Sequence, residues 1–165
     1  MADIVLRAAT PDDSESIAAI YDHHARTGVG TFDCVGPPAE TWRRKMDSVT
    51  ARQWPFLVAV SDDTILGFAY VAPFRDRAAY APSCEDSIYV AADARGRGVG
   101  AALLERLVMQ ASARGLAQMI AVIGGPEAAS VALHRRCGFS ESGRLVSVGE
   151  KFGRPLDVVL MQRAL

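Results

Sequence analysis

Residues 95–100, Arg-Gly-Arg-Gly-Val-Gly, have the composition of a phosphate-binding loop. Glycines at alternate positions let backbone N–H groups approach a phosphate closely, and the two arginines can add charge-assisted hydrogen bonds. An apolar run with four-residue spacing follows and predicts that a helix begins here, at Val99, Leu103, Leu107 and Ala111. Because the N-terminus of a helix offers free N–H groups and positive potential, we expect an anionic phosphate ligand at this loop.

Several folds carry such a loop, and the surrounding residues discriminate among them. A Walker P-loop needs Gly-Lys-Ser/Thr, but the only lysines, Lys45 and Lys151, lie far away. Gly96, Gly98 and Ala101 match the dinucleotide fingerprint, yet the loop lies past mid-chain and no acid on the following strand could bind a ribose. The pyrophosphate loop of an acyl-CoA enzyme fits better, and a simple strand-to-helix turn is the remaining alternative.

The elements that position this loop follow from hydrophobic periodicity. The predicted order is β, α, α, β, β, β, α, β, α, β, β, with strands at residues 4–8, 56–60, 65–72, 87–91, 119–123, 141–148 and 156–163. Helices are predicted to begin near residues 10, 40, 98 and 128. The antiparallel strands before the loop and the final hairpin indicate an α/β fold with a mixed sheet, not a doubly wound one. Without repeats or linkers, residues 1–165 are expected to form a single domain.

Composition and charge exclude several classes of partner. The 165 residues carry a net charge of −1, so nothing indicates binding to nucleic acid or to a membrane surface. No apolar run approaches the ~20 residues that span a bilayer. The three cysteines, Cys34, Cys84 and Cys137, have no paired spacing that would suit disulfides or zinc. We therefore expect buried free thiols, no bound metal and a cytoplasmic location.

Four further segments carry a resemblance to a known family. They are Thr31-Phe32-Asp33, Ala72-Pro73-Phe74-Arg75-x-Arg77-x-Ala79-Tyr80, Glu85-x-Ser87-Ile88-Tyr89-Val90 and Ser130-Val131-x-Leu133-His134. With the glycine loop and the element order, they resemble the GNAT superfamily of N-acetyltransferases, and within it the phosphinothricin N-acetyltransferases and related amino-acid-analogue acetyltransferases. The resemblance implies the GNAT fold with a central mixed sheet, acetyl-CoA as co-substrate and a homodimer.

Acetyl transfer from a thioester to an amine requires a base, donors for the developing oxyanion and an acid for the leaving thiolate. Glu85 is the candidate base, because it lies next to the strand that leads into the loop and matches the family's glutamate. Desolvation would raise its pKa towards the working range. Asp86 is the weaker candidate, and either acid could instead be a solvated loop residue. The resemblance gives His134 a catalytic role as acid or proton relay, although a lone histidine on a short helix is often structural.

The resemblance also implies which residues hold the two substrates. The cofactor-binding residues are expected to be Ile88, Tyr89 and Val90, through main-chain bonds, and Arg95, Gly96, Arg97, Gly98, Val99 and Gly100 at the pyrophosphate. Arg75 and Arg77, two apart in a loop, could clamp a carboxylate of the acceptor. Phe32 and Tyr80 are expected to line the acceptor pocket, with Ser87 also in contact. His23 and His24 match no motif and are expected to be structural.

The predicted activity is transfer of an acetyl group to the α-amine of a small amino acid or analogue, such as phosphinothricin, methionine sulfoximine or methionine sulfone. Acetylation of a protein N-terminus or a polyamine is an alternative, and so is a non-catalytic acyl-CoA sensor, which would need neither Glu85 nor His134. The chain departs from the family's pattern at Glu127, where asparagine is usual, and in the glycine-rich stretch 26–30.

Overall fold

The computed structural model describes residues 3–125 and 127–165, and their elements follow the predicted order. The strands are β1 (Val5–Ala8), β2 (Phe56–Ser61), β3 (Thr64–Pro73), β4 (Ser83–Val90), β5 (Gln118–Gly124), β6 (Ser140–Lys151) and β7 (Arg154–Ala164). The helices are α1 (Ser14–Thr27), α2 (Ala39–Ala51), α3 (Val99–Ala113) and α4 (Ala128–Arg136). Short 3-10 turns cover Pro11–Asp13, Ala78–Tyr80 and Ala92–Ala94.

Within the described residues the strands form one mixed sheet in the order β1-β2-β3-β4-β5-β7-β6. β4 and β5 pair in parallel, and the other neighbouring strands pair antiparallel. The chain crosses over through α3 between β4 and β5, as a parallel connection requires. The predicted mixed α/β sheet is therefore confirmed.

Both faces of the sheet are covered at β2. Phe56 and Val58 pack in the cluster that includes Trp42 of α2, while Leu57 and Ala59 pack in the cluster of α3. Successive side chains of a strand point to opposite faces, so a strand covered on both sides is continuously apolar. This explains why β2 shows no polar–apolar alternation in the sequence.

β4 begins at Ser83, four residues earlier than the predicted strand at Ser87. The polar residues at this end lower its apparent strand propensity, but pairing with β3 on one side and β5 on the other overrides that preference. Glu85 therefore lies inside the strand, not before it as predicted. Its main chain is opposite Ala72 of β3 and Ile120 of β5.

The pairing of β4 with β5 ends at Glu85. Only Ser83, Cys84 and Glu85 of β4 face partners on β5, although both strands continue for several residues. The two strands therefore separate beyond Glu85 and leave a gap on that side of β4. This gap is open towards the glycine loop, which follows β4 after a single 3-10 turn.

The structure also shows where the cysteines lie and how apolar the helices are. Cys84 and Cys137 are buried as predicted, but Cys34 is exposed, because it lies in the surface loop between α1 and α2. In the part of the chain that the structure describes, no helix has the length and apolar character needed to cross a membrane.

Candidate active site

Two cavities adjoin where β4 and β5 separate. The strand cavity, about 250 Å³, lies between the two strands, and its lining includes Phe32, Glu85, Asp86, Ser87 and His134. The loop cavity, about 450 Å³, lies against the glycine loop, the start of α3 and one side of α4. Four residues line both cavities and mark the junction between them: His24, Ile88, Glu127 and Ser130.

The loop cavity has the features of an anion site. Gly96 and Gly98 have φ of 74° and 81°, a left-handed conformation that glycine adopts without strain. α3 begins directly afterwards at Val99, so the first N–H groups of the helix have no intrahelical partner. Arg95 lines the cavity, whereas Arg97 is exposed and lies outside its lining. The loop thus presents backbone donors and one guanidinium to a phosphate-sized anion.

The free edge of β4 connects the two cavities. Ile88 and Val90 line the loop cavity, while the ring of Tyr89 packs in the core, 4.9 Å from the Tyr21 ring and 5.3 Å from that of Phe68. The Tyr89 ring is therefore part of the core, and its main chain is opposite Phe68 of β3.

His24, which is predicted to be structural, lies at the junction of the cavities and contacts the main chain of β4. Its Nε2 is 2.9 Å from the Val90 carbonyl, so Nε2 carries the proton and donates. Burial lowers the pKa of His24 and favours this neutral form. The sequence offered no motif for His24, because its partner on β4 lies far along the chain.

Glu85 is half-buried and lines the strand cavity. Burial raises the pKa of Glu85, and the nearby Asp86 raises it further, while the charges of Arg75 and Lys45 partly oppose this shift. A carboxylate with a raised pKa is a stronger base than an exposed glutamate, which suits it for accepting a proton from a bound molecule.

Asp86 is not a solvated acid but the buried partner of His134. Asp86 Oδ2 lies 2.9 Å from His134 Nε2, and both side chains are almost wholly buried. Asp86 Oδ1 has no hydrogen-bond partner among the described residues. Since side chains alternate along a strand, Asp86 shares the face of buried Cys84, on which α4 packs. A strand predicted to begin at Ser83 would have placed Asp86 on the same buried face as Cys84 from the sequence alone.

The geometry of His134 requires a proton between it and Asp86. Its Nδ1 is 2.7 Å from the Ser130 carbonyl, which can only accept, so Nδ1 carries a proton. Nε2 and Asp86 then need one further proton to form their hydrogen bond. Burial disfavours the charged imidazole, but Asp86 and the Ser130 carbonyl outweigh it, so the pKa of His134 is raised. The pair therefore holds a proton at the edge of the strand cavity.

Arg75, Arg77 and Tyr80 lie elsewhere than expected. They line a third cavity, about 320 Å³, that also includes Arg52 and Trp54 but neither Phe32 nor Glu85. The Arg75 guanidinium is 4.2 Å from the centre of the Phe74 ring. The structure thus brings together Phe32, Glu85, Ser87 and His134 in one cavity, and it does not place Tyr80 or Arg77 there. Arg75 still acts on that cavity, because its charge lowers the pKa of Glu85 against the raising effects of burial and Asp86.

The two departures from the family's pattern meet in space. Glu127 lies at the junction of the cavities, and a Cβ at Gly30 would be only 2.8 Å from its Oε2. Glycine at position 30 thus leaves room for the Glu127 carboxylate where it lies, and a larger residue would require that carboxylate to shift. In residues 3–125 and 127–165, no group of three or more His, Cys, Asp or Glu side chains is placed to hold a metal ion.

This chain is similar to several known proteins and structures. Residues 17–139 match the acetyltransferase (GNAT) family. The chain is 44% identical to a phosphinothricin N-acetyltransferase of Alcaligenes faecalis, over 97% of this chain and 82% of the relative. It is 38% identical to an L-methionine sulfoximine/L-methionine sulfone acetyltransferase of Pseudomonas aeruginosa, over 95% and 92%. The crystal structure of a GNAT phosphinothricin acetyltransferase from Sinorhizobium meliloti with AcCoA is also similar, with a TM-score of 0.95, 41% identity and coverage of 98% of this chain and 88% of that one.

The Asp86–His134 pair yields a direct prediction. Asp86→Asn removes the negative charge that favours the imidazolium, so burial should dominate and lower the pKa of His134 below its ordinary value of about 6.5. An NMR titration of the His134 ring protons measures this shift. Glu105→Gln, at an exposed glutamate of α3 that lines neither cavity, serves as the control and should leave the titration of His134 unchanged. An equal pKa in wild type and Asp86→Asn would contradict the shared proton.

Proposed function

This chain belongs to the acetyltransferase (GNAT) family, and from that membership we propose that it transfers an acetyl group from acetyl-CoA to the α-amine of a small amino acid or amino-acid analogue. The names of its relatives support phosphinothricin and methionine sulfoximine or sulfone as acceptors. The observation that carries the proposal is the junction of the two cavities. Glu85 and the Asp86–His134 pair line the strand cavity, which meets the loop cavity at this junction, so an amine in the first can meet a thioester from the second.

The loop cavity is the proposed site of acetyl-CoA. The glycine loop, Arg95 and the start of α3 suit its pyrophosphate, and the edge of β4 that β5 leaves unpaired suits the amides of its pantetheine arm. When bound, acetyl-CoA supplies an activated acyl group. A backbone N–H between Ile88 and Val90 is the proposed donor to the carbonyl oxygen, where negative charge develops during attack.

Glu85 is the proposed general base. An amino acid binds as an ammonium ion, which has no lone pair, so the nitrogen must lose a proton before it attacks. Glu85 lines the strand cavity and its pKa is raised, chiefly by burial. It can therefore take the ammonium proton within the cavity. The two reactants would be held side by side, which favours direct attack without a covalent enzyme intermediate.

His134 is the proposed acid. The leaving thiolate of acyl transfer is a poorer leaving group without a proton or a positive charge nearby. Ser130 and Asp86 hold His134 in one orientation with its proton, beside the junction of the two cavities. A proton relay between His134 and Glu85 through solvent in the strand cavity, which both residues line, is the alternative.

The acceptor class can be tested with a panel of amines. Thiol release should be observed with phosphinothricin, methionine sulfoximine and methionine sulfone, and not with a polyamine or a peptide with a free N-terminus. Arg75 lines the third cavity, but its charge reaches Glu85, so we propose that the acceptor's α-carboxylate extends from Glu85 towards Arg75. Arg75→Ala should then raise KM for these acceptors by about 10- to 100-fold, because a charge-assisted bond to the carboxylate is lost. KM for acetyl-CoA should not change. For acceptors whose α-carboxylate is replaced by a carboxamide, KM should be the same in wild type and Arg75→Ala.

Other outcomes of the panel would replace this proposal. Turnover with the peptide or the polyamine alone would favour the corresponding acetylation. Binding of acetyl-CoA without turnover of any amine would favour a sensor. Equal effects of Arg75→Ala on the acceptor and on acetyl-CoA would exclude Arg75 as a carboxylate ligand.

The role of Glu85 predicts a change in both rate and pH dependence. Glu85→Gln should lower kcat/KM by ~10²–10⁴. In wild type, kcat/KM should fall as the pH drops through the raised pKa of Glu85, because the protonated carboxyl cannot accept a proton; the variant should lack this limb. The part of the pH profile that is set by deprotonation of the acceptor's own ammonium group should remain in both wild type and Glu85→Gln. Glu105→Gln, an exposed glutamate on α3, is the matched control, and a loss below threefold in Glu85→Gln would remove Glu85 from this role.

We propose that a second copy of the chain covers the outer strand β6. Large apolar side chains are exposed on its hairpin with β7, namely Leu145, Val146, Val148 and Phe152. A patch of this kind on a folded protein usually marks an interface. Sedimentation equilibrium should give twice the chain mass of 17.7 kDa, and Val146→Lys should shift the protein towards the single chain. A wild-type protein that sediments as one chain at micromolar concentration would refute the dimer.

A further inference from the structure

The Phe32 ring stands in a slot between two backbone positions that carry no side chain. A Cβ at Gly124 of β5 would lie 2.8 Å from Phe32 Cε1. A Cβ at Gly149 of β6 would overlap the opposite edge of the ring, 2.7 Å from Cδ2 and 2.9 Å from Cζ. Carbon atoms in contact lie about 3.5–4.0 Å apart, so neither position admits even a methyl group while the ring stays where it is.

Hydrogen bonds hold the segment around Phe32 from two sides. From α1, the Tyr21 hydroxyl lies 2.7 Å from Thr31 Oγ1 and donates to Asp33 at 2.6 Å. From the end of β6, the buried Lys151 ammonium donates to the Thr31 carbonyl at 2.8 Å. Losing the bond from Lys151 would leave its buried ammonium group without a partner, which is costly in free energy. These bonds fix the backbone on which Phe32 stands. The residue is 40% exposed, and its ring is confined by the positions of Gly124 and Gly149.

This position bears on the acceptor because Phe32 lines the strand cavity together with Glu85. Gly149 itself does not line that cavity, and the β6–β7 hairpin contributes only Val158 to it. A change at Gly149 can therefore alter the cavity mainly by moving the Phe32 ring. Gly124 restricts movement of the ring towards β5, because a Cβ built there would already lie within 2.8 Å of Phe32 Cε1.

We propose that Gly149 is a specificity-determining position of the acceptor site, because it admits the Phe32 ring and so sets the room beside Glu85 for the acceptor's side chain. The inference rests on the proposed function for the identity of the acceptor. A methyl group at position 149 expels the ring from the slot. The acceptor then loses the surface on which its side chain packs, whereas the loop cavity keeps all of its contacts.

The kinetic test compares the same substitution at two glycines of β6. Gly149→Ala should raise KM for phosphinothricin by roughly 5- to 50-fold and change its ranking against methionine sulfone, with KM for acetyl-CoA within twofold of wild type. Gly143→Ala is the matched control, since a Cβ there would meet only Leu160, at an ordinary 4.0 Å. It should leave both KM values unchanged. Equal increases for both substrates, or equal effects of the two substitutions, would overturn the proposal.

A double-mutant cycle on thermal unfolding tests the slot without any acceptor. Gly149→Ala should lower the unfolding midpoint by about 3–10 °C in wild type, because the ring and the methyl group compete for one space. In a Phe32→Ala background the same substitution should cost less than about a third of that shift. Equal shifts in both backgrounds would overturn the slot.

The two readouts also separate this inference from the function on which it rests. If wild type acetylates no amino acid, the proposed function fails and the claim about acceptor specificity fails with it, while the unfolding cycle still decides whether the slot exists. If wild type is active but Gly149→Ala keeps the wild-type KM for phosphinothricin, the specificity claim fails alone.

Discussion

The end of the β4–β5 pairing at Glu85 and Ile120 is the constraint on which both cavities depend. Two strands that separate leave main-chain groups without ladder partners, and buried groups of this kind must be satisfied in another way. His24 satisfies one of them by donating to the Val90 carbonyl. The remaining edge faces the cavities, so the defect in the sheet is also the place where an extended, amide-bearing ligand can bind.

The same separation gives two neighbouring carboxylates different surroundings. Glu85 and Asp86 point to opposite faces of β4, because side chains alternate along a strand. Glu85 meets the cavity and the charges of Arg75 and Lys45, and burial raises its pKa. Asp86 instead faces α4 and is bound to His134. Adjacent acids in unlike environments can take unlike roles, one as a base and the other as the group that orients an acid.

Much of this architecture could be predicted from the sequence, because its signals are local. The glycines of the loop, the apolar spacing of α3 and the order of the elements are patterns within short windows, and the structure confirms them. The Asp86–His134 contact joins residues 48 positions apart, so it depends on the packing of α4 against β4. Arg77 and Tyr80 belong to an exposed connection whose path the sequence does not determine, and the structure places them around a different cavity.

This contrast between local and distant contacts extends to the two proposed substrates. The loop cavity is built around the short segment 94–101 with further lining mainly from α4, and Phe32 is not among its lining residues. The strand cavity is completed by Phe32, whose position depends on Gly124, Gly149 and Lys151, all distant in the chain. One substitution in such a set can move the ring without touching the loop. We therefore expect the choice of acceptor to change more readily than the choice of acyl donor in proteins with this arrangement.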